Sequence, residues 1–347
     1  MNPNIQCISE GNYSTLIGMN GGNPESPDGT RLVYVRKPSL DEALSELWIC
    51  NTDLTNHRKL YDASCGNHNS LSATFIDNDR VVFRSRENGT NLIYIMDANS
   101  GEKLYCIDGK EGHRAEQHKF PFSTFDTDDD GTFWLDCDTG EIKKLFSAAE
   151  MVAAITEQGY QPHDKTGALS HVQLNFSATK VMMRISVTCS GGALLGCYDL
   201  RTKKFYFIPN KPVHQLWYDD DSYIAVAQKH DGTKWMMEES RINRYSITGE
   251  ILEPLGGVGN HVDGNANNPL VVGDSMYPDE LLRILLYKKG DITPLAELDS
   301  QNFQFPAWKK QIHSNPSFGT NGKRVYFNRP IADDKTVAVF VDVSPYL

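Results

Sequence analysis

The chain has 347 residues and a net charge of −11, from 45 acidic against 34 basic side chains, and 39% of it is hydrophobic. That acidity argues against nucleic acid or an anionic membrane surface as the natural partner, and no apolar run is long enough to span a bilayer. The start "MNPNIQCISEGNYSTL" lacks a basic region followed by an apolar one, and the seven cysteines are scattered without a CxxC pair. The expectation is a cytoplasmic protein with reduced, mostly buried thiols.

Read in chain order, the sequence is a series of short strand-like runs separated by Gly, Asp and Asn turns. The first unit has "SPDGTRLVYV" and "ELWICNTD"; the second has "RVVFRS" and "NLIYIMDANSGEKLYCI". A third, compressed unit around "GTFWLDCDTGEIKKL" has no clear second strand and is followed by "SAAEMVAAITEQGY", which reads as a short inserted helix. The fourth carries "KVMMRIS" and "ALLGCYDLRTKKFYFIP", the fifth "SYIAVAQ" and "INRYSITGEILEPL", the sixth "LVVGDSM" and "LRILLYKKGDITPLAEL", and the seventh "RVYFNRP" and "TVAVFVDV". "DANSGEKLY", "DCDTGEIKKL", "DLRTKKFYF" and "SITGEILEP" are one hairpin repeated. This is the pattern of an all-β protein, a seven-bladed β-propeller with six blades as the alternative count, forming one domain over residues 1–347. The N-terminal "YSTLIG" is placed to supply the missing outer strand of the last blade and so close the ring.

Six of the ten histidines keep step with this repeat: His68, His118, His171, His214, His261 and His313, at gaps of 50, 53, 43, 47 and 52 residues. In the third unit His113 competes with His118 for the repeat position. A lone propeller histidine ordinarily satisfies a loop backbone group, but unrelated structural histidines have no reason to share a phase. If one position of every blade faces the axis, the imidazoles converge on a single cavity. Three or more neutral imidazoles there make a site for Mn²⁺, Zn²⁺ or a similar cation, completed by Gln311 or Asn315 beside His313, or by Asp263 beside His261. An imidazole too far away to ligate can serve as a general base, and the spacing does not say which has which role. Arg184 lies in the otherwise apolar "VMMRIS" and would suit a carboxylate if it faces the cavity. The glycine-rich "GGVGNHVDGN" has no surrounding strand–loop–helix, there is no G-x-S-x-G elbow, and "DTDDDG" (126–131) reads as a solvated turn.

From the fourth unit to the seventh, about half the chain, the sequence resembles the oligogalacturonate lyases of polysaccharide lyase family 22, cytoplasmic seven-bladed propellers that degrade short pectin fragments. "LSHVQLNFSATKVMMRIS" resembles the segment bearing the family's catalytic histidine, which falls on His171; "VHQLWYDDDSYIAVAQ" resembles the segment of the first metal histidine, at His214. "NHVDGNANNPLVVGD" is similar to the next blade's histidine strand, at His261, and "QIHSNPSFGTNGKRVYF" resembles the Gln…His-x-His-Pro-x-Phe metal segment, with His313 as ligand. The family's second histidine of that pair falls on Asn315, its glutamine aligns one or two residues from Gln311, and the arginine it supplies from the third blade has no counterpart in "GTFWLDCD".

The resemblance implies β-elimination on a uronic-acid oligosaccharide, with a divalent metal, Mn²⁺ foremost, held by His214, His261, Gln311, His313 and Asn315. It implies His171 as base; in place of the missing family arginine, Arg184 is taken as the carboxylate partner, and the phased His68 and His118 as lining the substrate cavity. Two alternatives stand beside it: a lyase for another uronate polymer such as ulvan, and a non-catalytic propeller of the TolB or WD type that binds a protein or glycan.

Overall fold

The computed structural model describes residues 5–347 apart from 20, 69, 110–111, 125–129, 163–168, 188–192, 209–211, 228–238, 276–280 and 303–311. The acidic run at 126–131 lies largely outside the described residues, as does Gln311. Seven antiparallel sheets follow one another along the chain, one for each blade. Six have four strands and the third has three. Blade four shows the plan: Leu169–Leu174 is innermost, then Lys180–Ser186, Ala193–Asp199 and Lys204–Ile208 outermost.

The repeated hairpin has a common cause. In blades two, three and four the residue ending the last strand but one is Asp97, Asp136 or Asp199, and its carboxylate accepts from the next two free backbone amides at 2.6–3.0 Å. That Asx turn fixes the reversal before the outer strand, with Gly101 and Gly140 taking the left-handed position (φ 76° and 75°).

The hydrophobic residues are divided among seven cores, one in each seam between neighbouring blades. Between blades two and three, for example, Val82, Ile93 and Ile95 meet Phe120, Phe122 and Phe133. Between blades six and seven, Val272, Ile284 and Leu286 meet Val325, Phe327 and Val339. Each blade is therefore apolar on both faces, which is why its central strands read as near-continuous Val, Ile, Leu and Phe runs.

Blade three departs from the plan as its compressed sequence suggested. Its first assigned strand, Lys119–Thr124, pairs with Gly131–Asp136. The segment before it makes only isolated bridges, Gly112 to Val172 of blade four and Glu116 to Lys119. The predicted helix follows, at Ala148–Glu157, with Ser147 and Glu150 exchanging the two hydrogen bonds of a capping box. It buries Met151 and Ile155 in the core between blades three and four.

The ring closes through the N-terminus, but not with the expected strand. The outer strand of blade seven is Ile5–Cys7, paired with Lys335–Asp342. The "YSTLIG" segment instead forms Ser14–Leu16, the innermost strand of blade one. Its three residues are all buried, which suits an inner strand, whereas Ile5–Cys7 is half exposed, as an outer edge should be. The segment still bridges the seam: Ser14 Oγ and Thr15 Oγ1 accept from the Thr336 and Ala338 amides of blade seven at 3.1 and 2.8 Å.

All six described cysteines are free thiols, four of them buried. Among the described residues no helix is long and apolar enough to cross a membrane.

Candidate active site

The innermost strands share an irregularity that builds the site. In blades four and five the register with the second strand shifts by one residue, between Ser170 and Gln173 and between Val213 and Leu216. Two inner residues then face one outer residue, a β-bulge. Backbone pairing gives the same offset in blade two, where Arg84 donates to Leu71 O ahead of the Thr74–Val82 pair, and in blade seven, where Asn328 donates to Ser314 O ahead of Ser317–Tyr326.

The first bulge residue is Ser72, His171, His214 or Asn315, and each is left-handed, with φ of 48°, 55°, 54° and 45°. A non-glycine residue there is strained by about 1–3 kcal/mol, and such strain gathers at functional sites. In blade six the pairing differs: the Asp274 N–H donates to His261 O, Asp274 O accepts from the Asn260 N–H, and the Asp274 carboxylate takes the His261 N–H.

The result is an axial cavity lined by Met19, His68, His113, His171, His214, Gln215, His261, His313 and Asn315. The rings of His214 and His261 are 4.3 Å apart, those of His261 and His313 4.8 Å, and those of His313 and His68 4.1 Å. His113 and His171 stand 5.7 Å apart.

Hydrogen bonds set the tautomers. Asp274 is fully buried, and its carboxylate takes the His261 backbone N–H and Nδ1–H, both at 2.8 Å, and the Ser314 hydroxyl. With its Nδ1 engaged by Asp274, His261 presents Nε2 to His313, whose Nδ1 donates to it at 2.9 Å. His313 keeps its own lone pair on Nε2. His214 Nδ1 donates to Asn260 O at 2.8 Å, again leaving Nε2 as the basic nitrogen. His171 Nδ1 bonds Ser170 Oγ at 2.9 Å.

Burial holds His214 and His313 neutral. His313 is pushed down from 6.5 to about 2, by desolvation first and then by His261 and His68. His214 falls well below its ordinary value, again chiefly by desolvation, then by its neighbours His261, His171, Arg184 and His313.

Of the sequence-predicted residues, His68, His171, His214, His261, His313 and Asn315 come together in the cavity. Arg184 lies on the second strand of blade four, in register with Ser170. Its side chain is desolvated enough to lower its pKa, and its charge reaches His214. Among the described residues it forms no ion pair. Asp263 is used elsewhere: its carboxylate accepts from the Phe318 and Gly264 amides at 2.7 and 2.8 Å, tying blade six to blade seven.

His118 does not reach the cavity. It sits in the two-residue turn between Glu116 and Lys119, at φ 56°, with its ring 47% exposed and 3.0 Å from Asp138. His113, five residues earlier, takes the axial place. Even spacing favoured His118, but the irregular inner segment of blade three breaks the period there. Sequence reasoning also passed over Met19, Gln215 and Asp274. Gln215 had no visible signal, because a residue directly following a phased histidine faces away from it in a regular strand.

A divalent metal needs neutral imidazoles with free lone pairs and a second shell that orients them. The Asp274–His261 pair and the Nε2 lone pairs of His214 and His313 fit that chemistry. Among the described residues no three His, Cys, Asp or Glu side chains are gathered in ligating geometry.

No protein-family model matches the sequence, and no curated protein matches it. Solved structures do resemble it. An oligogalacturonate lyase in complex with manganese superposes with a TM-score of 0.68 at 13% identity, covering 97% of this chain and 92% of the other. An oligogalacturonate lyase from Vibrio parahaemolyticus gives 0.66 at 14% identity, covering 99% and 94%. A prolyl endopeptidase gives 0.57 at 11% identity, covering 96% of this chain but half of its own. At these identities the likeness speaks to architecture: this chain has the seven-bladed propeller fold that the oligogalacturonate lyases also have.

Proposed function

We propose that this protein is a cytoplasmic, metal-dependent lyase that cleaves short uronic-acid oligosaccharides, of the oligogalacturonate kind, by β-elimination. The observation that carries the reading is Arg184. It is a half-buried cation without an ion-pair partner among the described residues, on the strand flanking His171 and near enough to depress His214. A partly desolvated guanidinium close to an imidazole-lined cavity is suited to a carboxylate. The whole-length fold match to two oligogalacturonate lyases, one of them a manganese complex, points the same way.

In this reading Arg184 binds the uronate carboxylate and draws charge out of the ring. His171 takes the C5 proton; the C4–O bond breaks, its electron pair leaves with the glycosidic oxygen, and a C4=C5 double bond conjugated to the carboxylate remains. His214, His261 and His313, with Asn315 and Gln311, would hold the divalent cation. When bound, such an ion neutralises the carboxylate and makes the C5 proton more acidic. Asp274 holds the His261 ring in place. His68 lines the substrate side of the cup.

The test is the rise in ultraviolet absorbance when purified protein and Mn²⁺ meet oligogalacturonates. His171→Ala should abolish it with the melting temperature kept, and Arg184→Ala should lower kcat/KM about 100-fold or more. No signal on any uronate oligomer, ulvan fragments included, sinks the lyase reading. A protein that purifies without metal and gains no thermal stability from Mn²⁺ or Zn²⁺ favours the binding-module alternative.

A further inference from the structure

Gln215 occupies a position at which the other bulged blades bury an apolar residue. It is the second residue of the blade-five bulge, after His214. The equivalents are Ala73 in blade two and Val172 in blade four, both packed into seam cores, and the buried Pro316 of blade seven. Gln215 is only 2% exposed, lines the axial cavity, and leaves its carboxamide Nε2 buried with no hydrogen-bond partner. A buried amide donor left unpaired costs about 1–3 kcal/mol, so it persists where something else satisfies it. Its backbone is fixed independently, since Gln173 Nε2 donates to Gln215 O at 2.8 Å. The left-handed turn at His214 lets two consecutive residues face the cavity, which an unbulged strand with alternating side chains does not allow.

The neighbouring groups suggest what this donor meets. The Nε2 lone pairs of His214 and His313 are acceptors, given to the cation in the uronate reading. Arg184, whose charge reaches His214, and the Gln215 amide are groups of the opposite kind, able to give hydrogen bonds to an anion.

We propose that Gln215 is a substrate-contacting residue whose Nε2–H donates to the carboxylate of the bound uronate, beside Arg184. The proposal rests on the uronate reading above. The test measures the dissociation constant of trigalacturonate by calorimetry in a His171→Ala background, which prevents turnover.

Gln215→Met keeps the volume but removes the donor, and should weaken binding about 10-fold; Gln215→Glu sets an anion against the carboxylate and should weaken it about 100-fold. A hydroxyl partner would instead let the glutamate accept a hydrogen bond, so Gln215→Glu binding more tightly than Gln215→Met overturns the assignment. Unchanged affinity in both variants also overturns it, and a lower melting temperature with unchanged affinity would mark the amide as structural. Should the glutamate variant fail to fold, the methionine variant decides by itself. If the His171→Ala parent does not bind trigalacturonate and the wild type does not cleave it, the uronate reading has failed at its own step and takes this proposal with it.

Discussion

At the residue scale, the cavity is governed by burial acting on histidine. An imidazole held near 2 in the folded state and near 6.5 when unfolded makes the unfolded chain the better proton binder between those values. Stability is therefore present above pH 6.5 and is lost as pH falls, at about 1.4 kcal/mol per pH unit for His313 alone. His214 adds in the same direction. In metal-free protein the loss between pH 6.5 and 4.5 should reach ~3 kcal/mol from His313, and His313→Gln should remove that part of it. Equal pH slopes for wild type and variant, in thermal melts with a chelator, would refute the buried neutral ring. The residue scale is also where the sequence was only partly legible. Phase along the chain singled out His68, His171, His214, His261 and His313, which do meet in one cavity. It chose His118 over His113, because nothing in the spacing shows that the inner segment of blade three leaves the sheet before residue 118.

At the element scale, the signals that were read correctly are local ones. The Asp-led turns and the helix over Ala148–Glu157 follow from side chains that bond backbone within three or four residues. Ser147→Ala removes the cap of that helix and should lower stability by about 1 kcal/mol, read as a shift of the denaturation midpoint. An unchanged midpoint would mean that packing of Met151 and Ile155 alone holds the helix. The bulges were not legible. They arise from the pairing of two strands, so a histidine at φ 55° is indistinguishable in sequence from one in a regular strand. Gln215 was missed for this reason: alternation would turn it away from its neighbour His214.

At the scale of the whole molecule, the apolar core is spread over seven seams, and one of them joins the two ends of the chain. Ile8 and Ile17 pack with Tyr326, Ala338 and Phe340 across the closing seam. Deleting residues 1–8 removes the Ile5–Cys7 strand and Ile8 together, and should lower stability by about 3 kcal/mol. The hydroxyl bridges from Ser14 and Thr15 would remain as a weaker latch. A melting temperature equal to that of the full chain would show that the ring does not depend on this strand. By itself, the sequence determined the architecture, because hydrophobic period and turn chemistry are local and recur seven times. It also determined which residue types could carry chemistry. Only the tertiary structure decided which of them share a cavity, and which nitrogen of each imidazole carries the lone pair. Those facts depend on strand register and on burial by distant blades, such as Asp274 behind His261 and Arg184 beside His214, and no spacing along one chain encodes them.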